Sequence, residues 1–282
     1  MTDVPGPGAI KRVQSRDNAL FKRLSRLASS ARERRSRGAT LLDGPHLVQA
    51  YRDAGGSADA IVASESAYAR GELRRLFEEA PARARAILSD RLFESIAQVT
   101  TPTGIMAVIA TPAPAPLPER AETCLFLDGV QDPGNLGSIL RSAVAAGLRH
   151  VFLSKGCVFA WAPKVLRAGQ GAHFFLAIHE RAPLGELAER FEGKVAATDS
   201  KGGTALFDAD LTGPIAWVFG AEGSGVSAEV AARARLRLRI PMPGPAESLN
   251  VAAAVAICLF EQARQRARGG LSTTVAPPSR PA

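Results

Sequence analysis

From Cys124 to about Arg268 the chain alternates short apolar runs with helical segments, and this alternation limits the possible folds more than any other feature. Strands are expected at Cys124–Leu127, Val151–Leu153, Phe174–Ile178, Val195–Thr198, Ala216–Phe219 and Leu236–Ile240. Helices are expected at Leu136–Ala146, Pro163–Leu166, Leu184–Phe191 and Ala228–Ala232, with a long final helix from Leu249 to about Arg268. Parallel strands need crossover connections, and crossover helices lie on the sheet faces, so the pattern predicts a mostly parallel sheet covered on both sides. Ligands on such sheets bind at the carboxyl ends of the strands.

The segment before this region is organised separately. Residues 111–122, TPAPAPLPERAE, continue neither helix nor sheet, because proline lacks the N–H donor and fixes φ. They are expected to link a domain at 18–110 to one at 123–268. In the first domain, strands are expected at Ala39–Asp43, Ala60–Ala63, Ala86–Leu88 and Ile105–Ala110, and helices at Gly44–Ala54, Glu72–Glu79 and Asp90–Ile96. From Asn18 to Arg35, Leu20, Phe21, Leu24, Leu27, Ala28 and Ala31 recur at helical spacing, which predicts one amphipathic helix. Residues 1–17 read as a disordered basic lead-in and 269–282 as a disordered tail.

Charge points to a polyanionic partner. The 282 residues hold 35 Lys+Arg against 27 Asp+Glu, a net charge of +8. Residues 11–37 hold ten basic side chains against Asp17 and Glu33, so this stretch alone accounts for the whole excess. It is either a nucleic-acid-binding face or a solvated helix surface. Three widely spaced cysteines, Cys124, Cys157 and Cys258, suggest neither a disulfide framework nor a zinc site. The four histidines are scattered, so no metal is expected. With no apolar leader and no run long enough to span a bilayer, the expectation is a cytoplasmic protein without a membrane partner.

Three segments carry chemistry, each beginning where a strand ends. In DGVQDPGNLGSILRSA, residues 128–143, a Gly/Pro/Asp turn enters a helix near Asn135, with Arg141 six residues on. This is either a receiver for an anion at a helix N-terminus or an ordinary Asn cap followed by a surface arginine. In FGAEGSGVS, residues 219–227, three glycines within six residues let a ligand approach the backbone, and Glu222 is suited to holding an arginine. It is not a nucleotide-phosphate fingerprint. In IPMPGPAESLNV, residues 240–251, a strand stops at two prolines and the chain enters the last helix, with Ser248 or Asn250 available as the cap.

Together and in this order, the three segments resemble the signature motifs of the SpoU (TrmH-type) family of RNA 2′-O-ribose methyltransferases: N-x-G-[SA]-I-x-R, G-x-E-x-x-G and I-P-M…S-L-N-V. The match runs over residues 124–262, and residues 18–110 resemble more loosely the substrate-binding domain that precedes it in many members. The resemblance implies a SPOUT-type α/β domain with a C-terminal trefoil knot, acting as a homodimer on RNA with S-adenosylmethionine as cofactor. It places the cofactor at Gly220, Ile240 and Leu249 with Thr198 close by, and the catalytic positions at Asn135, Arg141, Glu222, Ser248 and Asn250.

An arginine is too weak an acid to serve readily as a base, so Arg141 is expected to position RNA phosphate and stabilise alkoxide charge, with Glu222 orienting it. Ribosomal RNA of the large subunit (23S) is favoured as substrate. The alternatives are a tRNA 2′-O-methyltransferase or a non-catalytic RNA-binding or ribosome-assembly factor of the same fold. One stretch departs from the family pattern: Phe159-Ala160-Trp161 stands before Pro163, where polar residues are usual. Trp161 is expected either to stack on a nucleobase or to pack at the dimer interface.

Overall fold

The computed structural model describes residues 10–117, 120–199 and 202–270. The chain divides into two compact units, 1–112 with 161–174, and 113–160 with 175–282. Of the lead-in expected over 1–17 and the tail expected over 269–282, residues 1–9 and 271–282 lie outside the described residues.

The first unit contains β1 (Ile10–Val13), α1 (Ala19–Ser29), α2 (Ala31–Arg37), β2 (Ala39–Asp43), α3 (Pro45–Asp53) and β3 (Ala58–Ser64). After these come α4 (Glu65–Tyr68), α5 (Gly71–Glu79), β4 (Ala82–Leu88), α6 (Asp90–Glu94) and β5 (Ile105–Ala110). Its sheet runs β1-β4-β3-β5-β2, with β5 antiparallel to both neighbours. Phe21, Leu24 and Leu27 of α1 join Leu41, Val62, Leu88, Phe93 and Val108 in one apolar cluster, which alternation along the strands places on one face of the sheet. The buried Leu47 and Val48 of α3 and Leu76 and Phe77 of α5 stand outside that cluster.

Two expectations in this unit are corrected. Residues 10–13 are not lead-in: β1 pairs in parallel with β4, Val13 opposite Leu88, and Val13 is buried in the core. The single helix over 18–35 is two, because Ser30 is extended (φ −124°, ψ 115°) and its hydroxyl caps α2 by accepting from the Glu33 N–H at 3.2 Å. A serine that can bond the backbone locally competes with helix continuation. The basic face is also less free than its composition suggested. Arg34 is buried and donates to the Leu27 and Ala28 carbonyls, while Lys22, Arg23 and Arg37 pair with Asp17, Asp59 and Glu33.

The segment 161–174, expected to belong to the catalytic domain, joins this unit. It carries α8 (Pro163–Gly169), which packs on β2, and the Trp161 carbonyl accepts from the Thr40 hydroxyl at 2.7 Å. Trp161 is 3% exposed and its ring lies 5.3 Å from that of His173. At 3% exposure the indole offers neither a face to a nucleobase nor a surface to a second subunit, so both expectations for it are replaced by a buried packing role.

The second unit contains β6 (Cys124–Asp128), α7 (Pro133–Ala145), β7 (His150–Leu153), β8 (Ala177–His179), α9 (Leu184–Arg190) and β9 (Lys194–Thr198). It continues with β10 (Thr204–Ala205), β11 (Ile215–Gly220), α10 (Ala228–Ala231), β12 (Leu236–Arg239) and α11 (Val251–Arg268). The strand expected from Phe174 begins only at Ala177, since 172–175 form a 3-10 turn. All seven strands, ordered β10-β12-β9-β11-β6-β7-β8, are parallel. From β6 the chain builds outward through β7 and β8, then returns to the other side with β9, so the order reverses beside β6 and β11. Open parallel sheets bind ligands at such a reversal. Helix α11 is tied beneath β11 by Gln262, which accepts from Trp217 Nε1 at 2.7 Å and donates to Thr123 Oγ1 and the Gly213 carbonyl.

Candidate functional site

The carboxyl ends of β6 and β11 lie side by side, Asp128 opposite Gly220. After β11 the chain folds back sharply: Ala221 and Gly225 exchange backbone hydrogen bonds. A Cβ on Gly220 would collide with the Gly225 carbonyl and the Val226 nitrogen, so this turn requires glycine there. The loop is pinned by Asp128 Oδ2, which accepts from the Ser227 N–H at 2.9 Å. Pinning the loop sets where Glu222 projects.

Helix α7 starts three residues before the expected Leu136, at Pro133, and its cap is Asp132, whose Oδ1 accepts from the Asn135 N–H at 2.7 Å. The Asn135 side chain is therefore free for other work. It donates from Nδ2 to Glu222 Oε1 at 2.7 Å, and its Oδ1 accepts from Asn250 Nδ2 at 2.9 Å. Asn250 in turn caps α11: its Oδ1 accepts from Ala252 N at 2.9 Å and Ala253 N at 3.4 Å. With that oxygen taken by the helix, only Nδ2 can face the site, where it also donates to Glu222 Oε1 at 3.0 Å. The cap thus fixes the amide's orientation, and three residues from three separate segments form one directed network.

This network stands between two clefts. The larger, about 490 Å³, is lined by Thr198, Asp199, Phe219, Gly220, Glu222, Ile240, Met242, Ser248, Leu249 and Asn250, among others. All four expected cofactor positions line it, and so do Glu222, Ser248 and Asn250. The smaller, about 380 Å³, is lined by residues 129–132, Asn135 and residues 221–224, and it shares Ala221, Glu222 and Val251 with the larger. Among the described residues no Lys or Arg lines either cleft, whereas Asp199 and Glu222 line the larger and Asp132 and Glu222 the smaller. Phosphate is poorly served by such walls. Apolar surface from Phe219, Ile240 and the 38% exposed Leu249, together with exposed backbone edges and two carboxylates, suits a flat heterocycle attached to a cationic or hydroxyl-rich arm.

Arg141 is not brought into the network. Six residues along α7 turn it about 120° away from Asn135 and carry it about 9 Å along the axis. It is exposed, lines neither cleft, and makes no hydrogen bond or ion pair among the described residues. Glu222, expected to orient it, accepts from two amides instead.

Asp128 and Asp132 escaped sequence reasoning as site-building residues, although an aspartate followed by proline at a helix start is a legible cap signal. So did a histidine pair that the register of β7 and β8 creates: His150 Nδ1 and His179 Nε2 are 3.3 Å apart. Burial pushes His179 down to about 4, with the neighbouring His150 adding to the shift, and burial lowers His150 as well. Cys124 and Cys258 are buried thiols pushed up to about 12 by desolvation, which makes them packing residues. Among the described residues, no group of three or more His, Cys, Asp or Glu is placed to hold a metal ion, and no helix is long and apolar enough to cross a membrane.

A seven-stranded parallel sheet with a ligand cleft at its order reversal and a polar cluster at the cleft wall defines an α/β enzyme-type domain. The chain belongs to the SpoU rRNA methylase family, whose pattern matches residues 122–260. It is 32% identical to the 23S rRNA guanosine 2′-O-methyltransferase RlmP of Bacillus subtilis, over 78% of this chain and 86% of that protein. Its fold is shared with the SpoU methyltransferase AviRb of Streptomyces viridochromogenes, solved in complex with the cofactor AdoMet: TM-score 0.80 and 26% identity over 89% of this chain and 98% of the other. The mouse mitochondrial rRNA methyltransferase 3 is 51% identical over 92 residues, but that match spans only 22% of its length, and the Xenopus tropicalis counterpart is matched over 40% of its own.

Proposed function

We propose that the chain is an S-adenosylmethionine-dependent RNA methyltransferase that transfers a methyl group to a ribose 2′-hydroxyl, with 23S ribosomal RNA favoured as substrate. The observation that carries this reading is the Asn135–Glu222–Asn250 network between a cleft lined by apolar side chains and carboxylates and a second, smaller one. S-Adenosylmethionine supplies a methyl group activated by a sulfonium centre, and its adenine, hydroxyls and positive charge suit the apolar and carboxylate walls of the larger cleft. Names of relatives such as RlmP and AviRb support the same chemistry. The family membership also brings the C-terminal trefoil knot, the homodimer and the cytoplasmic location into this proposal.

The chain's own contribution is positioning and exclusion of water. Thr198, Gly220, Ile240 and Leu249 bound the cofactor cleft. Glu222 holds the two amides in place, so that Asn135 and Asn250, with the Ser248 hydroxyl at the same wall, present fixed dipoles to the incoming ribose. Orientation of preset groups is worth several kcal/mol of barrier without any residue having to act as a strong base. Arg141, exposed and unpaired among the described residues, is available to an RNA phosphate. Replacing it with alanine should lower methyl transfer to RNA about tenfold and leave S-adenosylmethionine affinity unchanged by calorimetry; unchanged transfer to RNA would remove Arg141 from the mechanism.

A further inference from the structure

The first unit holds a cavity that the catalytic reading leaves unused. About 480 Å³ in volume, it lies between α3 and α5 beside Thr103. Pro45 follows β2 after Gly44 and Thr103 precedes β5, whose Met106 pairs with Asp43, so the cavity opens at the carboxyl end of β2. Its floor is apolar, from buried Leu76 and half-buried Leu73 and Pro45. Its rim carries four basic groups, His46, Arg52, Arg70 and Arg75, together with the carboxylates Glu72 and Glu79.

The four basic groups are not equivalent. Arg52 is drawn towards Asp53 and Glu79 at 3.4 and 3.5 Å. Arg70 donates from Nη2 to the Thr103 carbonyl at 2.9 Å, which fixes its guanidinium at the rim and leaves its other donors available. Arg75 and His46 have no hydrogen bond or ion pair among the described residues and are exposed. On the basic stretch 11–37, by contrast, Arg34 is buried on carbonyls and three further cations are paired with carboxylates. An apolar floor beneath two guanidinium groups without a carboxylate partner among the described residues, Arg70 and Arg75, is the chemistry of an unstacked nucleotide, its base lying on the floor and its phosphate meeting the arginine fork.

We propose that this cavity is a second RNA contact, taking the base and phosphate of one single-stranded nucleotide, with Arg75 as the phosphate ligand and His46 at the base edge. The proposal rests on the RNA-methyltransferase reading and extends it to a residue-level substrate site. The test is steady-state methyl transfer by the full chain to protein-free ribosomal RNA at several salt concentrations, comparing Arg75→Glu and His46→Ala with wild type.

Losing one charge-assisted phosphate contact should raise KM for RNA about tenfold in Arg75→Glu. The slope of log KM against log salt should become shallower by about one, while kcat and S-adenosylmethionine affinity stay near wild type. His46→Ala should give a smaller rise in KM. Unchanged KM and salt slope in both variants, with an active wild type, would overturn this inference alone. A wild type that methylates no RNA would overturn the functional reading with it. A nucleoside monophosphate that binds wild type but not Arg75→Glu, without raising KM for RNA, would make the occupant a free nucleotide and overturn the assignment to RNA.

Discussion

Asn250 performs two tasks that substitution can separate. Its Oδ1 caps α11 through Ala252 and Ala253, and its Nδ2 donates to Asn135 and Glu222. Asn250→Asp keeps an oxygen for the cap but replaces the donor with a carboxylate about 3 Å from Glu222 Oε1. At that distance two like charges repel by about 1.4 kcal/mol in a water-like dielectric, and several times more in a less polar one. Asn250→Ala instead loses the cap, at about 1 kcal/mol, and the network without adding repulsion.

Both variants should therefore fold, each destabilised by about 1–3 kcal/mol in urea denaturation. Methyl transfer should fall in both, and by at least as much in Asn250→Asp, although that variant keeps the cap. S-Adenosylmethionine affinity, read by calorimetry, should change less than turnover. If Asn250→Asp turned over like wild type, the donor role would be wrong and Asn250 would be a helix cap alone.

Two further outcomes follow from the packing. His179 titrates near 4 in the folded chain against an ordinary 6.5, because burial and His150 disfavour its charged form. The unfolded chain therefore takes up the proton first, so this contribution is fully present above about pH 6.5 and is lost as pH falls from there towards 4. Urea midpoints should drop across that window, and His179→Phe should flatten the drop; equal slopes in the two proteins would contradict it. Trp161→Ala should cost about 3–5 kcal/mol as a large-to-small core change, whereas Trp161→Phe should methylate RNA near the wild-type rate; a selective loss of RNA affinity in the phenylalanine variant would return the indole to the RNA surface.

The parallel sheet was legible because its strands are continuous apolar runs separated by helices, a pattern that local sequence carries. Glu222, Asn135 and Asn250 could be picked out one by one as residues in turns at strand ends. Their mutual hydrogen bonding could not, because 87 and 115 residues separate the partners of Asn135 and only the sheet order brings them together. The break at Ser30 was missed because apolar spacing continues across it, while the competing side-chain cap is a local, three-residue event. Strand β1 was missed because Ile10–Val13 carries two cations and is an edge strand, so its burial falls on Val13 alone. The arginine count of residues 11–37 overstated the free charge, since composition does not show that Arg34 is spent on two carbonyls.

The central claim is the product. Ribosomal RNA from cells lacking this protein, incubated with the purified chain and methyl-labelled S-adenosylmethionine, should yield label in a 2′-O-methylated nucleoside, at a position resistant to alkaline hydrolysis. Label on a base, or no transfer to RNA at all, would contradict the account.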